Sequence, residues 1–426
     1  MAAALRPLLS DDRGEMVVAP AGWEAVGQSG NRWVDPDGWI PMPWGTTMVH
    51  LPQRRALARW HRRGEVREVQ GSHPLPVAAI LPVGYLRLLL PPHRTPAGAP
   101  TLPLYGYTAV ADRDGEVVVA AVQTDDYAPW TGRRPDPDQL AAAVERLQRR
   151  LPRNRVVAQL SICALAHNCL TAQNTFLGRH EGALPTSAAC NADCLGCISL
   201  QTDSGAPTPQ PRIRRAPTAQ ELLEVGDWHL GRCEEAGEPG MVSYGQGCEG
   251  EPLLRERVLV PVTAELRRRH PGATIHINTN ASRPAALRRL VAAGVNSCRI
   301  SVFSFRQEIF AAYYRPRGYG ILEVMESARQ AAAGGAQLTV NLLTFPGVTD
   351  SPQELALTVD RLGDLQVDQL QLRTLNGDPS WLLARLPELE PGVGMGEMIS
   401  RLRSGLPHLA LGNFTRPVRG VPAGLW

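Results

Sequence analysis

The sequence predicts an α/β fold, an incomplete (β/α) barrel preceded by a smaller N-terminal α+β domain. Three observations lead there. From about residue 183 onward, apolar β-like runs alternate with helical runs. The helical runs begin and end on capping residues. Before about residue 180 the alternation is absent, Pro and Gly punctuate the chain, and five of the nine Trp residues (Trp23, Trp33, Trp39, Trp44, Trp60) precede position 61. We divide the 426 residues into an N-terminal domain (1–180), a core domain (181–415) and a C-terminal tail (416–426), in keeping with roughly 100–200 residues per domain.

In the first region, Leu104–Ala111 and Glu116–Gln123 are β-prone and flank Asp112-Arg113-Asp114-Gly115, a hairpin signal. An amphipathic helix is expected near Asp138–Arg150. The Trp residues are expected to be ordinary core rather than a binding surface. In the core domain, Met241–Tyr244, Thr274–Asn278, Ser297–Phe303, Gln337–Leu343 and Gln366–Leu372 read as strands, with Leu409–Gly412 as a last one. Ala219–Glu235, Leu253–Arg269, Ala285–Ala293, Ile321–Ala333 and Ser351–Leu362 read as helices. Thr218-Ala219-Gln220-Glu221 fits a capping box, Ser351-Pro352 places a cap before Pro at the first helical position, and Gly294 stands where a helix should stop. Alternating units imply parallel strands with right-handed crossovers. Five or six units suit an incomplete barrel or an open doubly wound sheet, and in either the ligands gather at the carboxyl ends of the strands.

Composition removes several function classes. All 44 basic side chains are Arg, set against 41 acidic ones, for a net charge of +3. Near balance gives no general pull toward nucleic acid. Without Lys, neither a Schiff-base enzyme nor a Walker-A phosphate loop can operate. No run of about 18 apolar residues occurs, so no membrane span is expected. The opening MAAALRPLLSDDRGE lacks a signal-peptide core, and eight Cys in so long a chain do not make a disulfide framework. The expected setting is a reducing cytoplasm, with the cysteines as thiols and metal ligands.

The central motif is Cys190-Asn191-Ala192-Asp193-Cys194-Leu195-Gly196-Cys197, spaced C-x3-C-x2-C. Three thiolates on one short loop can converge on one face of an iron–sulfur cube. Soft thiolates select Fe–S or Zn over hard cations. Zinc sites favour paired C-x2-C units, and no second pair exists here. A fully ligated [4Fe–4S] cluster takes four Cys, so three leave one iron open, as chemistry on a bound molecule requires.

This motif at the head of a βα series resembles the radical S-adenosylmethionine (SAM) superfamily. The resemblance implies a [4Fe–4S] cluster on Cys190, Cys194 and Cys197, whose fourth iron takes the amino and carboxylate groups of SAM. Reductive cleavage of SAM would then yield a 5′-deoxyadenosyl radical that abstracts hydrogen from a substrate. A second segment, Gly245-Gln246-Gly247-Cys248-Glu249-Gly250-Glu251-Pro252 after Met241–Tyr244, resembles the family's Gly-Gly-Glu-Pro stretch. There, Gly250 and Glu251 would hold the methionine ammonium. The departure is Glu249-Gly250-Glu251 in place of Gly-Gly-Glu, so that Glu249 could share the role. Weaker matches are Asn278-Thr279-Asn280, with Asn280 as the SAM contact, and Ser301 or Ser304, with Ser301 near the ribose. Asn341, Arg373 and Asn376 lie on or after later strands. No catalytic residue is assigned.

Cys163 and Cys169, with His167 between them, are expected to be structural rather than a second cluster. Cys248 lies within the Gly-Glu-Pro segment as a candidate hydrogen donor or ligand, and Cys233 and Cys298 as core. Tyr313-Tyr314-Arg315-Pro316-Arg317 could shape a substrate pocket. The basic runs Arg149–Arg155 and Arg212–Arg215 are expected to be solvated faces. The resemblance implies an electron donor such as flavodoxin or ferredoxin, and leaves the substrate open among peptide, RNA and small molecule. Two other classes compete: an Fe–S electron carrier without SAM chemistry, and a Zn-stabilised nucleic-acid module.

Overall fold

In the computed structural model the described residues are 5–35, 38–61, 64–131 and 135–418. Most of the proposed tail therefore lies outside them.

The N-terminal part is mainly antiparallel. One sheet runs in the order Tyr85–Arg87, Glu116–Gln123, Tyr107–Arg113, Leu5–Ser10, Leu75–Ile80, Thr47–His50. A smaller sheet is built around Arg55–Trp60. The expected hairpin is present, with Arg113 opposite Glu116 and a two-residue turn at Asp114 (φ 53°) and Gly115 (φ 91°). Two left-handed residues in succession are what such a turn needs, and Asp-Gly supplies them. The Trp expectation needs correction. Trp39 reaches the core, whereas Trp44 is 89% exposed and Trp33 39%. Trp44 sits between Pro43 and Gly45 in a surface turn, where Thr46 N–H donates to the Pro43 carbonyl. Helices follow at Pro137–Arg150, Arg155–Leu165 and Leu170–Leu177. The sequence reading contains only the first.

The second part is a seven-stranded parallel sheet: β1 (Glu181–Ala183), β2 (Met241–Tyr244), β3 (Thr274–Thr279), β4 (Ser297–Val302), β5 (Gln337–Thr344), β6 (Gln369–Thr374) and β7 (Ala410–Gly412). Their order in the sheet is their order in the chain. A doubly wound sheet reverses strand order at a switch point, and this one does not. Successive right-handed crossovers put every helix on one face and curl the sheet, so the incomplete barrel holds. Among the described residues, β1 and β7 are not paired with each other.

Capping works as the sequence implies. Thr218 and Glu221 form a complete capping box, Ser351 caps the Pro352–Asp364 helix, and Gly294 ends the Pro284–Ala293 helix at φ 124°. One helix starts later than expected. Pro252–Arg255 is a 3₁₀ turn, and the α-helix runs Glu256–Arg269. The Glu251 carboxylate accepts from Leu253 N–H, which sets the chain's entry into that turn.

The strands alternate with period two. Ile275, Ile277, Cys298, Ile300, Val302, Leu338, Val340, Leu342, Leu370 and Leu372 are almost wholly buried. The intervening residues are polar: His276, Asn278, Ser297, Arg299, Ser301, Thr339, Asn341, Gln369, Gln371 and Arg373. The face bearing these polar residues encloses the bore. It forms a polar interior rather than an apolar core, with His276, Ser297, Thr339, Gln369 and Gln371 each at most 2% exposed.

The N-terminal part rests on the rim beyond β5 and β6. Gly30 N–H donates to the Pro346 carbonyl, Gly377 N–H to the Tyr105 carbonyl, and the Arg87 guanidinium to the Leu375 carbonyl. The tail's first residues are tied in as well. Arg416 pairs with buried Asp125, and Val418 N–H donates to Thr274 Oγ1.

Arg54 and Asp378 form a buried ion pair across this junction, and Asp378 also accepts from the backbone of Leu102, Ser380 and Trp381. Removing one partner of such a pair strands the other charge. Asp378→Ala is expected to cost about 3–5 kcal/mol, read as a lowered denaturation midpoint by circular dichroism.

Candidate functional site

The cysteine loop lies at the carboxyl edge of the sheet, beyond β1. Cys190, Cys194 and Cys197 are all half-buried. Burial pushes the Cys190 thiol up to about 11, with Glu251 adding to the effect, and holds the Cys194 thiol well above the usual range. Their ligation would release protons.

Two segments grip this loop. The first is the turn after β2. Glu249 accepts from five donors: Gly245 N–H and Gln246 N–H on Oε1, and Thr186 N–H, Thr186 Oγ1–H and Ser187 N–H on Oε2. A carboxylate offers about four lone-pair sites. Glu249 is thus saturated and does not share the ligand role that its place in the motif left open to it. It ties the turn to the strand leading into the cysteine loop. Gly250 then passes directly over that loop. A Cβ there would stand 2.0 Å from the Ala189 carbonyl oxygen, and Gly250 N–H and Glu251 N–H donate to the Ser187 and Ala189 carbonyls.

Glu251 differs from Glu249. Its Oε1 accepts from Leu253 N–H and Thr279 Oγ1–H, while Oε2 accepts only from Asn280 N–H, so one lone pair stays free. Burial raises this carboxyl to about 7, with the charge of Glu249 adding to the effect. Asn280 joins the same knot, its Nδ2 donating to Asn191 Oδ1 inside the cysteine loop at 2.9 Å.

The second grip is Tyr313–Arg317, which the sequence reading offered as a substrate pocket. The structure uses it as a clasp. Asp193 N–H and Leu195 N–H donate to the Tyr314 and Tyr313 carbonyls, Arg317 donates to the Cys190 carbonyl, and Arg315 donates to the Asp193 carbonyl. Arg315 is further tied to Asp203. Arg212, in a run read as solvated, donates to Ser199 Oγ and lies with Nη2 3.5 Å from Cys197 Sγ.

Ser301 is on the bore face, where its Oγ accepts from Asn341 Nδ2 at 3.3 Å. Ser304, the other fourth-strand candidate, is fully buried and donates to Glu354. Asn376 places its backbone carbonyl against Gly196. Cys248 turns from the site toward Cys163, with the two thiols in hydrogen-bonding reach and Cys169 nearby. Cys233 and Cys298 are core.

Residues 184–359 match the family model described as the radical SAM superfamily. The chain carries a radical SAM domain. A curated relative, the GTP 3′,8-cyclase of Paenarthrobacter nicotinovorans, is 32% identical over 137 residues, covering 31% of this chain. This chain thus spans 37% of that relative's length. Among solved structures, a radical SAM methyltransferase from Sphaerobacter thermophilus superposes with a TM-score of 0.40 at 20% identity, covering 58% of this chain and 69% of the other. Methylornithine synthase (PylB) gives 0.39 at 16% identity, covering 66% and 76%. Streptococcus suis SuiB bound to its precursor peptide SuiA gives 0.34 at 16% identity, covering 51% and 42%.

The residues of this radical SAM domain fit the cofactors of its family. A lone tetrahedral Zn, with bonds of about 2.3 Å, needs sulfurs about 3.8 Å apart. Among the described residues, the group of His, Cys, Asp or Glu whose ligand atoms all lie within 4.8 Å of one another is Asp11, Glu15 and His73, not the cysteine trio. Wider spacing suits a cube whose irons sit on separate corners. The unfilled lone pair and raised pKa of Glu251 call for a cation beside it. The Tyr319 hydroxyl, also without a partner, lies close enough to Cys194, Glu251 and Cys190 to feel their charge.

Glu249→Gln turns an amide NH₂ onto a set of N–H donors. It is expected to lower stability by at least about 3 kcal/mol, since buried donors lose their acceptor. Thermal melts of the apo chain and iron per chain after reconstitution should both fall, with retained iron dropping several-fold.

Proposed function

We propose that the chain is a radical SAM enzyme in which Cys190, Cys194 and Cys197 hold a [4Fe–4S] cluster and SAM occupies its open corner. When bound, the cluster and SAM supply an electron and a cleavable sulfonium, giving methionine and a 5′-deoxyadenosyl radical for hydrogen abstraction. The observation that carries this reading is the free lone pair of Glu251, held beside the cysteine loop by the Gly250 crossing. A Zn module or a simple electron carrier needs no carboxylate waiting for a cation at that place.

The chain's own residues then have defined tasks. Glu251 accepts from the methionine ammonium, and Gly250 permits the close approach. Asn280 fixes the cysteine loop through Asn191 and so orients the ligands. Ser301 presents a hydroxyl within the bore, in reach of a ribose. Arg212 places positive charge beside Cys197. The N-terminal part, resting on the rim beyond β5 and β6, restricts access of water to the mouth.

The substrate is unassigned. The matched relative is named for GTP, and peptide, RNA and small-molecule substrates all remain within the proposal. A flavodoxin- or ferredoxin-type donor would supply the electron. No helix of the described residues is long and apolar enough to cross a membrane. Free thiols next to an oxygen-sensitive cofactor fit a reducing cytoplasm.

The deciding measurement is anaerobic reconstitution followed by iron and sulfide counting and a 5′-deoxyadenosine assay with SAM and dithionite. The wild type is expected to bind about four irons per chain, the count of one such cluster, and to release 5′-deoxyadenosine. Ala at all three cysteines should abolish both. Iron without SAM cleavage would leave only the electron carrier.

Glu251→Gln should retain iron and weaken SAM binding about ten- to hundredfold, the worth of one charge-assisted hydrogen bond. A carboxyl near 7 is neutral below that pH and cannot pair with an ammonium. Wild-type SAM affinity is therefore expected to fall as pH drops below about 7, while the Gln variant stays flat; equilibrium dialysis across pH 6–8 (roughly one unit either side of that pKa) checks it.

A further inference from the structure

The bore contains two cations that the tasks above do not use. Arg299 lies on the inner face of β4 and Arg373 on the inner face of β6. The ladder places Ser301, Asn341 and Gln371 in one row across β4, β5 and β6. Arg299 sits two residues below that row and Arg373 two residues above it, about 7 Å along the strand in each direction. Arg299 reaches up into the row, its Nη1 donating to Gln371 Oε1 at 3.1 Å, and its Nε is buried without a partner. The Arg373 side chain makes no hydrogen bond or ion pair among the described residues, and its guanidinium lies 5.9 Å from the Phe414 ring. Both residues retain partial exposure although Cys298, Ile300 and Leu372 beside them are buried.

Among the described residues no carboxylate forms an ion pair with either charge. Glu181 is near enough to feel both guanidinium charges, which lower its pKa, yet burial outweighs them and raises it, and its hydrogen bond comes from Ser243. Asp125 is committed to Arg416. His276 is held neutral, its pKa pushed down to about 3 by burial and by Arg299. Burial and the charge of Arg299 push Arg373 down to about 9. Guanidinium groups this deep are normally paired, because an uncompensated buried charge is costly. Two such groups on either side of a row of hydroxyl and amide groups can serve as a receptor for a planar or tetrahedral oxyanion.

We propose that Arg299 and Arg373 bind an anionic group, a carboxylate or a phosphate, of the molecule this domain acts on, and thereby hold that molecule in the bore below the cysteine loop. Asn341, whose Oδ1 lacks a partner, offers at the same level an acceptor for a donor group of that molecule. The proposal rests on the radical SAM reading only in calling the anion a substrate group. The charge receptor itself does not depend on SAM chemistry.

The test uses the reconstituted full-length protein without SAM, titrated calorimetrically at fixed ionic strength with inorganic phosphate, pyrophosphate and succinate. Saturable binding of at least one probe is expected, weakened about tenfold or more in Arg373→Gln and in Arg299→Gln. Arg373→Met keeps the bulk and provides a second variant should the first fold poorly. No saturable binding by any probe, or equal affinity in wild type and variants, overturns the proposal. A parallel SAM titration separates the sources of the anion. If the Arg variants lose SAM affinity and keep probe binding, the guanidinium pair serves SAM's own carboxylate and the proposal fails. Because the probe arm contains no SAM, it stays readable even if the protein proves unable to cleave SAM.

Discussion

The site depends on one backbone crossing, in which the turn after β2 lies against the residues that lead into the cysteine loop. At Gly250 the two chains approach so closely that a single extra carbon would overlap the Ala189 carbonyl. Glu249 locks the crossing by accepting from both chains at once. The adjacent Glu251 is thereby brought to the cysteine loop with one lone pair unfilled. Two carboxylates two residues apart consequently do opposite work: Glu249 is consumed in making the crossing, and Glu251 is left available by it.

A second set of contacts governs how the loop is shaped. Clasping by Tyr313–Arg317 uses carbonyl groups at the end of one helix and the guanidinium groups of Arg315 and Arg317. These contacts fix the backbone of Asp193, Leu195 and Cys190 rather than their side chains. The sulfurs are thus free to take the orientations that a metal site requires, while the chain carrying them is held from two sides. Such preorganisation lowers the cost of assembling a metal centre, since the loop entropy is already spent in folding.

Much of this was legible in the sequence, and the rest was hidden for identifiable reasons. The capping box at Thr218, the Ser351-Pro352 start and the Gly294 stop act over a few residues, so local chemistry specifies them. The apolar strand residues are buried on one face, so period and length could be read. Strand β1 escaped because it has only three residues and no alternation to show. The helices after Asn154 and Cys169 escaped because their short apolar runs read as irregular structure. Glu249 and Glu251 look alike in a motif and separate only when the donors around each are known. The clasp was invisible for a related reason: its contacts run through main-chain groups, which carry no residue signature. Trp44 and Trp33 show the limit of composition, since residue type alone does not tell a core position from a turn.

The polar inner face explains why the barrel remains incomplete. A closed eight-stranded barrel fills its interior with layers of branched apolar side chains, and that packing favours closure. Here the inward positions carry Arg299, Ser301, Asn341, Gln371 and Arg373, which gain little by packing together and more by hydrogen bonding or meeting a ligand. Closing the sheet around them would strand their charges. Among the described residues β1 and β7 stay unpaired, and Asn413–Val418 lies against the bore face, where Gln369 donates to the Phe414 carbonyl and Gln371 to Thr415 Oγ1. A polar, cationic bore loses stability as a core but can receive a charged guest.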